Sequence, residues 1–126
     1  YFGLVFSLAV DAVQDEVGLD EAYRQATGCT IYLVEDHKYF LREVKVGTEV
    51  EVLTRVLAVD AKRFHLWMEM REGDARVAVG EFMELHVNQH PTPRAAPMPE
   101  AIRARLAAHL EPAPETLDKR ARAMGF

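Results

Sequence analysis

The sequence predicts an α+β domain in which an antiparallel sheet meanders around one buried helix. Three observations predict it. Residues 1–17 are apolar over nearly the whole circumference of a helix. Four strand-like runs follow between Cys29 and Val87, and short turns join the later ones. A helix followed by long strands with short connections packs helix against sheet, because each element has an apolar side to bury.

In the first helix Phe2, Phe6, Ala9 and Val13 recur at helical spacing, and Leu4, Val5, Leu8 and Val10 fill most of the remaining circumference. A helix that is apolar nearly all round belongs inside a fold. Gly18-Leu19-Asp20 stops it, and Asp20 caps a short second helix over Glu21–Gln25, ended by Thr27-Gly28. The first strand runs from Cys29 to Phe40. Alternation puts Ile31, Leu33, Glu35, His37 and Tyr39 on one face. Thr30, Tyr32, Val34, Asp36, Lys38 and Phe40 take the other, unless a bulge shifts the register. Lys45-Val46-Gly47-Thr48 turns the chain into a second strand, Glu49–Val59, with Val50, Val52, Thr54, Val56 and Ala58 on one face. The third strand, Phe64–Arg71, directs Phe64, Leu66, Met68 and Met70 inward, with His65, Trp67 and Glu69 opposite. Glu72-Gly73-Asp74 is a hairpin signal. The fourth strand, Ala75–Val87, carries Val77, Val79, Met83, Leu85 and Val87 on one face, and Gly80 marks a bend or a close approach of the helix. Four prolines between His90 and Pro99 predict an extended linker. Glu100–Leu110 reads as a helix starting behind Pro99. Pro112–Pro114 breaks it, and Thr116–Ala123 forms a last basic turn. The chain thus divides into a domain over 1–89 and a Pro-rich linker with a helical tail over 90–126, packed on the same domain.

The 126 residues suit one domain with a substantial core. Apolar residues at 49% and charged residues at 28% give a globular rather than a disordered profile. A net charge of −5 argues against a broad nucleic-acid surface, although local basic clusters can still hold a phosphorylated ligand. Cys29 is the lone cysteine, so no internal disulfide forms, a cysteine zinc site is not expected, and a reducing cytoplasm is the default. The apolar run Phe2–Val13 is interrupted by Gly3, Ser7 and Asp11 and falls short of the roughly 20 residues that a spanning helix needs. No basic segment precedes it, against a signal peptide. The chain opens at Tyr1-Phe2 without Met or a capping residue, so further residues are expected upstream in the parent protein.

Among titratable residues Glu35 is the strongest chemical candidate. A carboxylate sharing a strand face with Ile31 and Leu33 is partly desolvated, which raises its pKa and makes it a better base. The competing expectation is an edge-strand charge paired with a neighbour such as Arg42. His37, two residues on, has a ring suited to orienting water, against the more common part of a structural hydrogen-bonder. His65 and His86, with Glu81 and Glu84 nearby, match no metal-ligand spacing, and ordinary sheet positions explain them better.

Several stretches resemble one family: V-E-D-H at 34–37, Y-F-L-R-E-V-K-V-G at 39–47, D-A-K-R-F-H-L at 60–66 and G-E-F-M-E-L-H-V at 80–87. Together they resemble the acyl-CoA thioesterases of the hotdog fold, of the 4-hydroxybenzoyl-CoA thioesterase type. With R-A-A-P-M-P-E at 94–100, the subgroup resembled is the betainyl-CoA thioesterases of carnitine breakdown, some of which are fused to carnitine dehydrogenase. The resemblance implies a five-stranded hotdog whose first strand precedes the central helix, outside this sequence. It implies hydrolysis of an acyl-CoA thioester to acid and coenzyme A in a cytoplasmic homodimer or higher oligomer. The carbonyl would be polarised at the N-terminus of the central helix, with a carboxylate assisting water. Coenzyme A is part of the substrate, so no cofactor is called for. Many relatives carry a catalytic Asp or Asn just before the position of Tyr1, so that residue is expected upstream.

Under this resemblance Glu35 and His37 are the expected catalytic residues, and Tyr1, Tyr39, Trp67, Lys62 and Arg63 the expected substrate contacts. Trp67, Tyr32, Tyr39 and Phe82 would form an aromatic wall for a trimethylammonium group. Lys62 and Arg63, with Lys45, Arg94, Lys119, Arg120 and Arg122 as further cations, would meet the CoA phosphates. The alternative from a different class is a non-catalytic acyl-CoA-binding module, since one fold serves several functions.

Overall fold

The computed structural model describes residues 2–45 and 47–111. The predicted first helix is α1, Phe2–Val17. It packs on one face of the sheet through Phe6, Val10 and Val17, all in the core. It is not enclosed all round: Leu4 and Leu8 are 64% and 60% exposed. The described residues therefore leave part of the apolar circumference uncovered.

Helix α2, Glu21–Thr27, starts where Asp20 accepts a hydrogen bond from the Tyr23 N–H and ends at Gly28, whose left-handed φ of 73° suits glycine. The strands are β1 (Cys29–Phe40), β2 (Glu51–Val59), β3 (Arg63–Glu72) and β4 (Ala75–Asn88). All pairings are antiparallel, in the order β1-β4-β3-β2. A fifth short strand, β5 (Arg94–Ala95), pairs the end of β4. The sheet therefore has five strands where the sequence shows four alternating runs. The proline stretch is not plain linker, because it supplies that strand.

Helix α3, Glu100–Ala107, begins behind Pro99. Met98, Ile102 and Leu106 enter the same core as α1 and the sheet. The Arg105 guanidinium donates to the Val17 carbonyl at 3.2 Å, and the Glu111 N–H donates to the Val56 carbonyl at 2.9 Å. Residues 112–126, with the expected last basic turn, lie outside the described residues, as do Tyr1 and Val46.

Register corrects three face assignments. β1 shifts between Leu33 and Glu35, so Val34 is an extra residue. Ile31 and Leu33 stay opposite His86 and Glu84, but beyond the bulge Asp36 and Lys38 face Phe82 and Gly80 on that side. Glu35, His37 and Tyr39 pass to the other face, opposite Met83, Glu81 and Val79. The expected grouping of Glu35 with Ile31 and Leu33 therefore does not occur. A shift between Val56 and Ala58 likewise turns Ala58 away from the core side, and Val59 takes its place opposite Phe64. In β4 the residues toward α1 are Ala78, Gly80, Phe82, Glu84 and His86; of the expected face Val77, Val79, Met83, Leu85 and Val87, only Val77 joins the core cluster. Gly80 allows the close approach expected of it, since a Cβ there would lie 2.7 Å from the Phe82 ring and 3.7 Å from Phe6.

His86 ties this arrangement together. Its Nδ1–H donates to the Ala96 carbonyl at 2.7 Å, which leaves Nε2 of the neutral ring to accept from the Tyr23 hydroxyl at 2.7 Å. One buried ring thus joins α2, β4 and the segment behind β5. Tyr23→Phe is expected to lower stability by about 1 kcal/mol, since it deletes one half-buried hydrogen bond. An unchanged denaturation midpoint would show that the bond contributes nothing net.

Candidate active site

A cleft of about 220 Å³ opens between α1 and the β1 side of the sheet. Ser7, Asp11 and Gln14 recur at the spacing of one helical face and line it with Val10. Ile31, Leu33 and Lys38 of β1 and Phe82 and Glu84 of β4 form the opposite wall. Lys38 pairs with Asp36 at 2.5 Å, and its ammonium lies 5.8 Å from the centre of the Phe82 ring.

Glu84 is the unusual residue of this cleft. It is 2% exposed, and no described residue gives its carboxyl a hydrogen bond or an ion pair. Burial, then the negative charges of Asp11 and Asp36, push it up to about 7. From sequence Glu84 is expected only as an ordinary sheet position beside His65 and His86, and not as a site residue. The available signal was parity: two-residue spacing puts it on the face of Gly80 and Phe82, beneath the helix.

The second face of the sheet holds the expected catalytic pair. His37 Nε2 and Glu35 Oε2 lie 2.5 Å apart, both half-buried. The expected pairing of Glu35 with Arg42 is not made: Arg42 pairs with Glu72 at 3.2 Å. Across β4 and β3 on this face, Glu81 and His65 are buried, with Oε1 and Nε2 3.5 Å apart. Further along, Glu69 holds Arg71 and Arg76 and accepts from the Trp67 indole N–H at 3.4 Å. Burial pushes the Glu69 carboxyl up, but the bonds from Arg71 and Trp67 and the charges of Arg76 and Arg71 together hold it below the usual carboxylate range.

The structure therefore brings Glu35 and His37 together but not into the cleft with α1. Trp67 and Tyr39 lie on the second face and Phe82 on the first, so the four aromatic residues do not form one wall. His65 and His86 also lie on opposite faces, and among the described residues no cluster of three or more His, Cys, Asp or Glu is placed to hold a metal ion. Lys62 and Arg63 line a separate cleft of about 420 Å³ with Asp60, Ala61, Leu85 and Ala95. The Arg63 guanidinium is bonded to Asp60 at 2.9 Å. Among the described residues no helix is long and apolar enough to cross a membrane.

This helix laid across an antiparallel sheet is the hotdog fold of thioesterases. A Staphylococcus aureus protein solved in complex with CoA superposes with a TM-score of 0.82 over 99% of this chain and 78% of that one, at 24% identity. The model of the thioesterase-like superfamily matches residues 1–106. A betainyl-CoA thioesterase of Pseudomonas aeruginosa is 39% identical over 88% of this chain and 70% of its own length. An L-carnitine dehydrogenase/betainyl-CoA thioesterase of Agrobacterium fabrum is 41% identical over 76% of this chain, which spans 20% of that larger protein. The chain belongs to the thioesterase-like superfamily and is an acyl-CoA thioesterase.

Proposed function

We propose that this enzyme hydrolyses betainyl-CoA, or a short acyl-CoA close to it, to the free acid and coenzyme A. The α1–β1–β4 cleft carries the reading, since a small half-open cavity beside the central helix suits a short acyl group. The 39% identity to the Pseudomonas aeruginosa betainyl-CoA thioesterase supports the choice of acyl group. Water attacks the thioester carbon, the carbonyl oxygen becomes an oxyanion, and the C–S bond breaks to release the thiolate. The family likeness supports polarisation of that oxygen by free N–H groups at the N-terminus of α1. Lys62 and Arg63 serve the CoA phosphates from their own cleft.

Two sets of residues within this chain contend for the base, beside the upstream Asp or Asn that the resemblance implies. The Glu35–His37 pair is built for proton relay but must meet the substrate from the second face. Asp11 reaches into the cleft from α1. Assaying thiol release for Glu35→Gln and Asp11→Asn tests both: the base loses about 100-fold or more in kcat, and full activity in both variants points to the upstream residue. Binding of acyl-CoA without thiol release from any ester would overturn hydrolysis and favour the non-catalytic module.

The outer edge of β1 carries no strand among the described residues, and Leu33 and Val34 are half-exposed there. Pairing of this edge with a second copy hides it and supports a homodimer. Sedimentation at micromolar concentration tests that assembly. The fused relatives support a place beside a carnitine dehydrogenase, and the free Cys29 thiol suits a reducing cytoplasm.

A further inference from the structure

We propose that Glu84, with Asp36 beside it and the Phe82 ring as a wall, seats a quaternary ammonium group at the acyl end of the substrate. The inference rests on the reading of the α1–β1–β4 cleft as the acyl-CoA site, and it names the residues that choose the acyl group there.

The argument starts from what a trimethylammonium group requires. It carries a full positive charge but has no N–H to donate. A site built for a primary ammonium or a guanidinium offers several acceptors in hydrogen-bonding geometry. A site built for a quaternary ammonium offers apolar walls, an aromatic face and an uncompensated negative charge. The cleft has these parts. Val10, Ile31, Leu33 and Phe82 supply the apolar walls. The Phe82 ring already takes the Lys38 ammonium at 5.8 Å from its centre. Glu84 lines the cavity, is 2% exposed and receives no hydrogen bond from any described residue.

Lys38 does not neutralise Glu84, because its ammonium is committed to Asp36 at 2.5 Å. The charged and titratable groups facing Glu84 are then Asp11 from α1, the Asp36–Lys38 pair from β1, and the His86 ring two residues on along β4. His86 uses both ring nitrogens on Tyr23 and Ala96. The β3 partner of Glu84, Phe64, brings no charge. The balance is negative, and a buried carboxylate without a donor gains most from a cation that enters with the substrate.

The test compares betainyl-CoA with 3,3-dimethylbutanoyl-CoA, in which a carbon replaces the quaternary nitrogen and shape is kept while charge is removed. The wild-type enzyme is expected to favour the cationic ester in kcat/KM. Glu84→Gln is expected to reduce that preference by at least about tenfold. Glu84→Asp, which keeps the charge, is expected to retain most of it. Asp36→Asn, at a half-exposed site, gives a smaller loss in the same direction and serves if Glu84→Gln does not fold. An equal loss on both esters would make Glu84 part of the reaction or the fold and overturn the proposal, while betainyl-CoA hydrolysis stood. If the wild-type enzyme hydrolyses neither ester, the functional reading fails and calorimetry with choline against 3,3-dimethylbutan-1-ol decides the site. Choline binding lost in Glu84→Gln supports it, and no choline binding to the wild type overturns it.

Discussion

Replacing Phe6 with alanine is expected to lower stability by about 3–5 kcal/mol. The ring is wholly buried and packs tilted on Phe82, centroids 5.6 Å apart. Beneath it lies Gly80, which has no side chain to move into the space left behind. Phe6 therefore fills the place where the helix sits closest to the sheet, and its truncation leaves a void that β4 cannot close. Urea unfolding measures the effect, and the midpoint should fall at an unchanged m-value. Activity is expected to fall with it, because Phe82 then loses the neighbour that holds its ring against the cleft. A loss below about 1 kcal/mol would mean that α1 settles onto the sheet and heals the cavity.

The second large effect has the opposite sign. Glu84→Gln is expected to stabilise the protein at pH 8 by about 3 kcal/mol and to change little at pH 4. The folded-state pKa of Glu84 is raised to about 7 from an ordinary value of 4.5, by burial first and by Asp11 and Asp36 next. Between those values the folded chain holds a proton that the unfolded chain has released. The stability this gives is full below about 4.5 and is lost as pH rises through about 7. Glutamine never ionises, so the variant escapes that loss. Unfolding of both proteins at pH 4 and pH 8 checks the sign. An equal difference at the two pH values would show that Glu84 ionises in the fold as it does in the unfolded chain. Together with the ester comparison, the expectation is a more stable enzyme that selects its acyl group less well.

Much of the fold is legible in the sequence because its signals are local. The Asp20 cap, the Cys29–Phe40 strand and the helix behind Pro99 each follow from a few neighbouring residues. Gly80 could be read as a close approach because strand interiors otherwise disfavour glycine. The site was less legible for two physical reasons. The Val34 bulge carries no composition signal, yet it reverses the faces of everything between Glu35 and Phe40. Glu84 sits between apolar neighbours and two residues from His86, so sequence alone offers Glu81 and Glu84 on equal terms. Only the position of α1 separates them, placing Glu84 under the helix and Glu81 beside His65 on the other side. The exposure of Leu4 and Leu8 was hidden for a similar reason, since hydrophobicity does not say which chain covers a residue.

The Val34 bulge makes β1 behave as a two-position selector. Side chains in a strand alternate with a period of two, so one residue more or less exchanges the faces of everything beyond it. As built, the strand presents an ion pair of Asp and Lys to the helix side and a pair of Glu and His to the far side. A chain shortened by that one residue would present the imidazole and its carboxylate to the cleft instead. A single codon thus separates two chemically different linings of the same cavity.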